Sequence, residues 1–256
     1  MHQPALEAFL KRLRLRSELD AEEADAILNL DGRVEPHGKH DDFVLPGDKT
    51  THACLIVNGL AARYDQTEAG ARQYTALHFA GDMCDLHSLI LPVATSGIEA
   101  LNPVMVLRIA HTALRAVADA FPAIAFAFWR DSAADGAILA KWAGNLGRKS
   151  ALARTAHLIC EVGTRMQHAG LGTRTDFPIN ITQDQLADAL GLTAVHVNRT
   201  LQTLRAGGLV RTSHKRIEVL DWAGLTVCAE FQEDYLHYVG RRTRAGTSRA
   251  DELSLA

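Results

Sequence analysis

Side chains that could bind a metal ion are concentrated in the first third of the chain. Five histidines lie between residues 33 and 109: His37, His40, His52, His78 and His87. Asp41 and Asp85 could add carboxylates, and imidazole with carboxylate suits zinc, iron or manganese. No two of these histidines have the one-apart spacing of a ligand pair on one strand face, so we interpret them as solvated. A metal-binding sensor or a metal-dependent enzyme on this region is the alternative.

The remaining reactive side chains form no catalytic pattern. Four cysteines lie far apart, without a C-x-x-C pair: Cys54, Cys84, Cys160 and Cys228. This spacing does not support a zinc ribbon or a cysteine-ligated iron–sulfur cluster and is typical of thiols in a reducing compartment. No Ser/His/Asp set or glycine-rich nucleotide loop stands out, so we expect no enzymatic activity.

Contact with a nucleic acid is indicated by residues 182–206. Thr182 and Thr193 are each placed to cap a short helix, and Gly191 lies where the chain must turn between the two helices. Apolar residues recur at helical spacing on the inward faces: Leu186, Leu190, Val197, Leu201 and Leu204. Two short helices joined by a tight glycine turn predict a helix-turn-helix.

The second helix has a polar outer face that suits the major groove. Arg199 lies six residues after Thr193 and can reach guanine O6 and N7 together, with Asn198 beside it as a second base contact. We predict that a further set of residues touches phosphates: Thr182, Thr193, His196 and Lys215.

Residues 207–220 predict a β-hairpin wing. Strands at 209–211 and 217–220 are joined by a turn at 213–215, with Lys215 and Arg216 near its tip. Residues 150–221 carry a net charge of +2, whereas the whole chain has −3 and the remainder −5. This polarity agrees with DNA contact by the C-terminal part.

The elements that must position this unit can be read from composition and spacing. The 256 residues, 47% of them hydrophobic, suffice for one large domain or two ordinary ones. No apolar run approaches the ~18 residues that span a bilayer, so we expect a cytoplasmic protein with no membrane partner. Residues 1–30 predict an amphipathic surface helix rather than a signal peptide.

Residues 33–109 predict an antiparallel β-roll or barrel. Short apolar runs at 54–57, 74–77, 89–91 and 104–107 alternate with turn residues at 46–48, 58–59, 68–70 and 80–82.

Residues 112–166 predict helices. One apolar stripe follows three- and four-residue steps: Ile124, Phe128, Ile138, Trp142 and Leu146. The stripe either packs within one chain or forms a dimer interface, and we predict a parallel two-fold dimer along 122–146. A second helix at 150–166 places a further set on one face: Leu152, Ala156, Ile159 and Cys160. The polar run 241–249 is expected to be frayed.

In this order of elements the sequence resembles the cyclic-AMP receptor/fumarate–nitrate regulator (Crp/Fnr) superfamily of bacterial transcription factors. The resemblance covers residues 33–220 and includes the glycine-containing turns of the roll. It implies an α+β fold: a β-roll like the cyclic-nucleotide-binding jelly roll with an N-terminal helix (1–115), a long dimerisation helix (116–148), a winged helix-turn-helix (149–222) and a helical or frayed tail (223–256). The implied partners are a double-stranded DNA operator, a second copy of the chain and RNA polymerase.

The resemblance also bears on how DNA would be read. The family's guanine-reading arginine falls on Arg199, and its preceding glutamate contact falls on Val195, which therefore joins the base-contacting set. The first arginine contact of the cyclic-AMP receptor falls on Ala194. These departures imply a different operator sequence and the same docking mode.

The sensor region departs further from the cyclic-nucleotide-binding members. These have a Gly-Glu pair for the ribose and an Arg-Ser or Arg-Thr pair for the phosphate, whereas here residues 81–88 and 94–97 contain neither pair. No Arg or Lys lies between Arg72 and Arg108. Because a cyclic phosphate needs a cationic partner, we expect no cyclic-nucleotide binding; a ligand-independent regulator with a vestigial roll is a further alternative.

Residues 81–88 also resemble the haem-ligand region of the family's carbon-monoxide sensor. The haem-ligating histidine falls on His87, but the haem cysteine falls on Asp85, one place after Cys84. One matched ligand does not define an axial pair, so haem is an alternative to a structural role for His87. The candidate effector pocket, with its ligand left open, comprises Leu77, Met83, Cys84, Asp85 and His87.

Overall fold

The computed structural model describes residues 2–213 and 215–238. Two helices come first, α1 (His2–Arg14) and α2 (Ala21–Leu28), where one was expected. The break occurs because Asp20 caps α2 in a reciprocal pair with Glu23. Helix α1 is amphipathic as predicted, because its apolar face is buried while Glu7, Lys11 and Arg14 are exposed; the burial of Arg12 was not expected.

Residues 33–110 form an antiparallel roll of two sheets. One sheet has the order β1-β7-β3, with β1 at Arg33–His37, β3 at His52–Asn58 and β7 at Val104–Ala110. The other has the order β2-β6-β4-β5, with β2 at Asp42–Val44, β4 at Ala61–Gln66, β5 at Arg72–His78 and β6 at Gly97–Ala100. The predicted roll and its strands at 54–57, 74–77 and 104–107 are confirmed.

The turn between β3 and β4 requires its glycine. Gly59 has φ of 90°, and a Cβ there would lie 2.5 Å from the carbonyl oxygen of Pro103. Neither the backbone nor the space allows a side chain.

The predicted strand at 89–91 is wrong. Residues Leu86–Leu89 form a short 3₁₀ helix, followed by a loop in which Ile90 and Leu91 are each 66% exposed. The amide groups of both residues donate to the carbonyl oxygen of His87. Because these backbone groups are satisfied locally, the apolar run pairs with no strand.

Two helices follow the roll, α3 (His111–Ala120) and α4 (Pro122–Arg148). The helical conformation is interrupted at Phe121, and Pro122 is the first residue of α4. At this position the missing N–H of proline removes no hydrogen bond within the helix. Four members of the predicted stripe are buried within this chain: Ile124, Phe128, Ile138 and Trp142. These four residues pack within the single chain, as the first alternative predicted, so they are not available to a partner, and the dimer along 122–146 stays a prediction.

Helix α5 (Ala151–Ala169) lies at the centre of the molecule. Ser150 caps it by accepting the N–H of Ala153. The sequence predicted one buried face, but every residue from Thr155 to Met166 is buried. The helix packs against α1 and the C-terminal helices, accepts a hydrogen bond from Trp142 of α4 at Glu161, and contacts the roll through Arg165. Its polar residues are therefore interior groups that the apolar periodicity could not reveal.

The C-terminal part contains α6 (Gln183–Leu190), α7 (Ala194–Ala206), α8 (Trp222–Ala229) and three strands. The strands β8 (Asp176–Pro178), β9 (Val210–Ser213) and β10 (Arg216–Val219) form a sheet in the order β8-β10-β9. A 3₁₀ turn, Asp234–Leu236, follows α8 and buries Leu236. The tail is thus packed up to residue 238, while His214 and the polar run 241–249 lie outside the described residues. No helix within the described ranges has the length and apolar character needed to cross a membrane.

Candidate DNA-recognition site

The two helices of the predicted unit are capped as expected. Thr182 accepts the N–H of Gln185, whose side-chain oxygen accepts the N–H of Thr182 in return. Thr193 accepts the N–H of His196 at 3.3 Å. Both threonine hydroxyls therefore lie at helix N-termini, where the helix dipole favours an anion.

Gly191 makes the turn between α6 and α7. Its φ is 59°, in the left-handed region, and the N–H of Leu192 donates back to the carbonyl of Ala187. A Cβ on Gly191 would lie 2.9 Å from the side chain of Leu146 on α4. The turn thus sets the angle of the helices and their distance from α4.

The apolar faces of both helices point inward. Leu190, Val197, Leu201 and Leu204 are all less than 8% exposed, as the spacing predicted. Gln185 is also buried, and its amide donates to the carbonyl of Leu101 in the roll. This burial leaves the opposite face of α7 to the solvent.

A shallow recess of about 370 Å³ lies on that outer face. Its lining contains all three predicted base contacts together with three neighbours: Val195, Asn198, Arg199, Gln183, Ala194 and Gln202. Val195 is 71% exposed. The amide of Asn198 donates to Gln183 at 3.1 Å, so this asparagine is held across the two helices. Gln183 was not among the predicted contacts; its place as the first residue of α6, after the cap Thr182, was the available signal.

The wing brings several charges to the surface, and most of them are paired. Arg216 donates two hydrogen bonds to the carboxylate of Asp176, at 2.5 and 2.7 Å, and this pairing lowers the pKa of that carboxyl. Arg211 is paired with Glu218. Across the described ranges, Lys215 and Arg199 have neither a carboxylate nor a hydrogen-bond partner for their cationic groups. Two predicted DNA contacts therefore carry uncompensated charge.

The DNA-recognition unit is docked on the roll. The amide of Gln73 on β5 donates to the carbonyl of Asp188 at 2.6 Å, near the end of α6. The amide of Asn102 donates to the carbonyl of Asn180 at 3.1 Å. These side-chain amides satisfy backbone groups of the C-terminal part and fix its orientation in this structure.

Comparison with known proteins agrees with this arrangement. Residues 153–228 match the model of the Crp-like helix-turn-helix domain. Electron transport regulator A of Shewanella oneidensis is 25% identical over 82% of this chain and 84% of its own. The fumarate and nitrate reduction regulatory protein of Vibrio cholerae is 24% identical over 84% and 86%. The solved structure of FixK2 from Bradyrhizobium japonicum has the same fold, with 22% identity and a TM-score of 0.71 over 78% of this chain and 98% of its own.

The chain has a Crp-like helix-turn-helix domain and is similar over most of its length to regulators of the Crp/Fnr superfamily. It is therefore a DNA-binding transcription regulator, as its sequence predicted. The family consists of transcription regulators, not enzymes.

In this regulator the five candidate effector-pocket residues lie in different environments. Leu77, Met83 and Cys84 belong to three different apolar clusters. Asp85 is buried, its pKa is raised by burial, and it accepts the N–H of Cys54 at 2.7 Å. His87 lies on the surface, and its pKa is lowered by partial burial and by Arg63. The candidate haem ligand is thus exposed, whereas Met83, Cys84 and Asp85 are buried.

Three arginines outside residues 73–107 bring cationic groups to the roll: Arg63, Arg108 and Arg165. The expectation based on residues 73–107 alone did not include them. Arg63 donates to the carbonyl of Cys84 and lies 3.6 Å from Asp135. Arg108 is bonded to Glu35 at 2.7 Å, and Arg165 reaches Asp82 at 3.0 Å. All three arginines already have carboxylate partners. The absence of cyclic-nucleotide binding stays a prediction, and its physical basis is that the nearby cations are paired, not that they are missing.

The histidines of the roll are dispersed. His40 bonds to Glu99 at 2.8 Å, His52 to Thr51, and His37 packs on Phe43. His78 is buried, so the interpretation of these histidines as solvated is wrong for it, and burial lowers its pKa to about 3. No group of three or more potential metal ligands occurs among the described residues.

Proposed function

We propose that this regulator is a cytoplasmic homodimer that reads an operator with the N-terminal half of α7. The observation that carries the proposal is the recess on α7, where Arg199 has no carboxylate partner among the described residues and Val195 is exposed. An unpaired arginine at this position can donate to guanine O6 and N7. The exposed isopropyl group of Val195 suits contact with a thymine methyl, and Asn198 is oriented by Gln183 towards a neighbouring base.

The phosphate contacts that we propose surround this recess. Thr182 and Thr193 lie at helix N-termini, His196 is exposed on the first turn of α7, and Lys215 lies at the wing tip. Such contacts supply affinity and register without reading sequence. RNA polymerase is the protein partner that we propose for the DNA-bound regulator.

A dimer interface for this regulator is available on α4 opposite the buried stripe. Exposed residues recur there at alternating steps of three and four: Phe126, Trp129, Ala133, Gly136, Ala140, Ala143 and Gly147. This set, which we call the outer stripe, has the heptad spacing of a parallel coiled coil. Small residues in its second half allow close helix approach. Two copies joined there would place their α7 helices on half-sites about 34 Å apart.

The proposed reading mode is tested by measuring binding of Arg199→Ala to a selected operator and to scrambled DNA. We expect a loss of about 1–3 kcal/mol on the operator, relaxed preference at one base pair per half-site, and little loss on scrambled DNA. Arg205→Ala is the matched control on the same helix, because Arg205 is bonded to Thr212 and lies outside the recess. Equal losses on both DNAs would make Arg199 a phosphate contact instead.

Lys215 is distinguished from Arg199 by salt dependence. Lys215→Ala should weaken binding to both DNAs alike and reduce the slope of log K against log salt by about one unit. A sequence-dependent loss for Lys215→Ala would contradict this assignment.

A further inference from the structure

A cleft separates the roll from the wing in the docked arrangement. It has a volume of about 450 Å³, within the range of small-molecule sites. The roll contributes the β3–β4 turn and the segment before β7, α5 contributes its C-terminal end, and the recognition unit contributes residues 178–180 and Lys215. The cleft is thus formed by both halves of the molecule and exists only while they are docked.

The floor of the cleft is apolar and rigid. Leu60, Phe79, Met166 and Ile179 line it, and each is held in the main hydrophobic core. The guanidinium of Arg165 lies 4.9 Å from the centre of the Phe79 ring and fixes its orientation. A ligand that enters meets a preformed hydrocarbon surface.

The rim offers the N–H groups of Asn58 and Lys215 as donors to a ligand. The side-chain oxygens of Asn58 and Asn102 accept the N–H groups of Met105 and Leu60. Within the described ranges, the ammonium group of Lys215 has no hydrogen bond or carboxylate partner. None of the described residues that line the cleft has a carboxylate. Among these residues the rim therefore has one cation and no competing anion.

We propose that this cleft binds a small amphipathic carboxylate, with its apolar body on the Leu60–Phe79–Met166 floor and its acid group on Lys215. Such a ligand holds the wing against the roll and occupies the ammonium group that the proposed function assigns to a DNA phosphate. Ligand and operator then bind with negative coupling. This coupling rests on the proposed function, whereas the ligand site does not.

The site is tested by calorimetry on the full-length protein without DNA, with decanoate and 4-phenylbutyrate as probes. We expect at least one acid to bind with Kd of about 0.1–1 mM, in keeping with the ligand efficiency of molecules this small. Lys215→Gln should weaken it about fivefold, and Ala80→Leu, which fills the cleft, should abolish it. Arg211→Gln, on the same wing but outside the cleft, is the control and should bind as the wild type does.

The location is checked by hydrogen exchange, since bound acid should protect residues 58–60 and 210–219. Absence of binding by both acids overturns the proposal. So does binding that survives both Lys215→Gln and Ala80→Leu, because the acid then occupies another apolar surface. Operator binding is measured separately; a protein that binds operator but neither acid refutes the cleft site and leaves the proposed function standing.

Discussion

At the scale of single residues, His157 shows how burial sets a charge state. Its Nδ1 accepts from the ammonium group of Lys149 at 3.3 Å, because lysine can only donate. Its Nε2 then donates to the hydroxyl of Tyr235 at 3.1 Å, and that hydroxyl donates to Glu161 at 2.7 Å. The ring is neutral, 1% exposed, and its pKa is lowered to about 4 by burial and by Lys149.

This lowered pKa predicts a loss of stability in mild acid. Between about pH 6.5 and 4 the unfolded chain binds a proton at His157 and the folded chain does not, so the free energy of unfolding decreases as the pH falls. At pH 5 this difference in proton binding at His157 lowers the free energy of unfolding by about 2 kcal/mol. Thermal unfolding between pH 7 and pH 5 measures the effect.

His157→Gln is the matched variant, since an amide can accept from Lys149 and donate to Tyr235 without titrating. Its melting temperature should fall less than that of the wild type between pH 7 and pH 5. Parallel pH profiles for the two proteins would mean that His157 is not the group responsible.

At the scale of elements, α4 presents two faces to two environments. The inward face buries Ile124, Phe128, Ile138 and Trp142 in this chain. On the other side Phe126 and Trp129 are 53% and 54% exposed, and their rings pack edge to face at 5.1 Å. A Cβ added at Gly136, Gly144 or Gly147 would meet nothing within 4 Å. The outer stripe is thus exposed to solvent in the single chain.

If the outer stripe is the dimer interface, a charge placed within it should separate the subunits. We expect Ala143→Glu to sediment as a monomer at micromolar concentration and to lose operator affinity at least tenfold, since two apposed carboxylates would be buried. Arg148→Glu introduces the same side chain at an exposed position on the same helix outside the stripe and should remain dimeric. A dimeric Ala143→Glu protein would place the interface elsewhere.

At the scale of the whole molecule, a buried charge cluster joins the first helix to the roll and to α4. Arg12 bonds to Asp82 at 2.5 Å and to Asp135 at 2.9 Å, and it also contacts Asp131. Arg16 bonds to Asp131 at 3.0 Å. Burial raises the pKa of Asp131, whereas the neighbouring arginines hold that of Asp135 below its usual value. The cluster links segments more than 100 residues apart in the sequence.

Removal of Asp131 should therefore destabilise the whole fold. Asp131→Ala leaves Arg12 and Arg16 buried with too few carboxylates, and we expect a loss of about 3–5 kcal/mol in the free energy of unfolding. Asp119→Ala, at an exposed carboxylate on α3, should change it by less than about 0.5 kcal/mol. Chemical denaturation of both variants gives the comparison, and near-equal midpoints would show that the cluster adds no net stability.

Much of this fold could be predicted because its signals are local. Caps at Thr182 and Thr193, a left-handed glycine at 191 and apolar residues every three or four positions depend only on neighbours in the chain. The same holds for the Asn58-Gly59 turn and for the strands that flank it. These features fixed the β-roll, the long helix and the winged helix-turn-helix, and with them the placement of Arg199 on an exposed face.

Tertiary structure alone decided which of two apolar stripes on α4 faces inward, because a helical repeat gives spacing and not direction. It alone paired Arg12, Arg63 and Arg165 with carboxylates from other elements, since Coulomb attraction depends on distance in space. It separated Met83 from Cys84, whose side chains leave the backbone on opposite sides. It also created the cleft between roll and wing. This cleft is lined by residues far apart in the chain, such as 58 and 215, and therefore has no signature in the sequence.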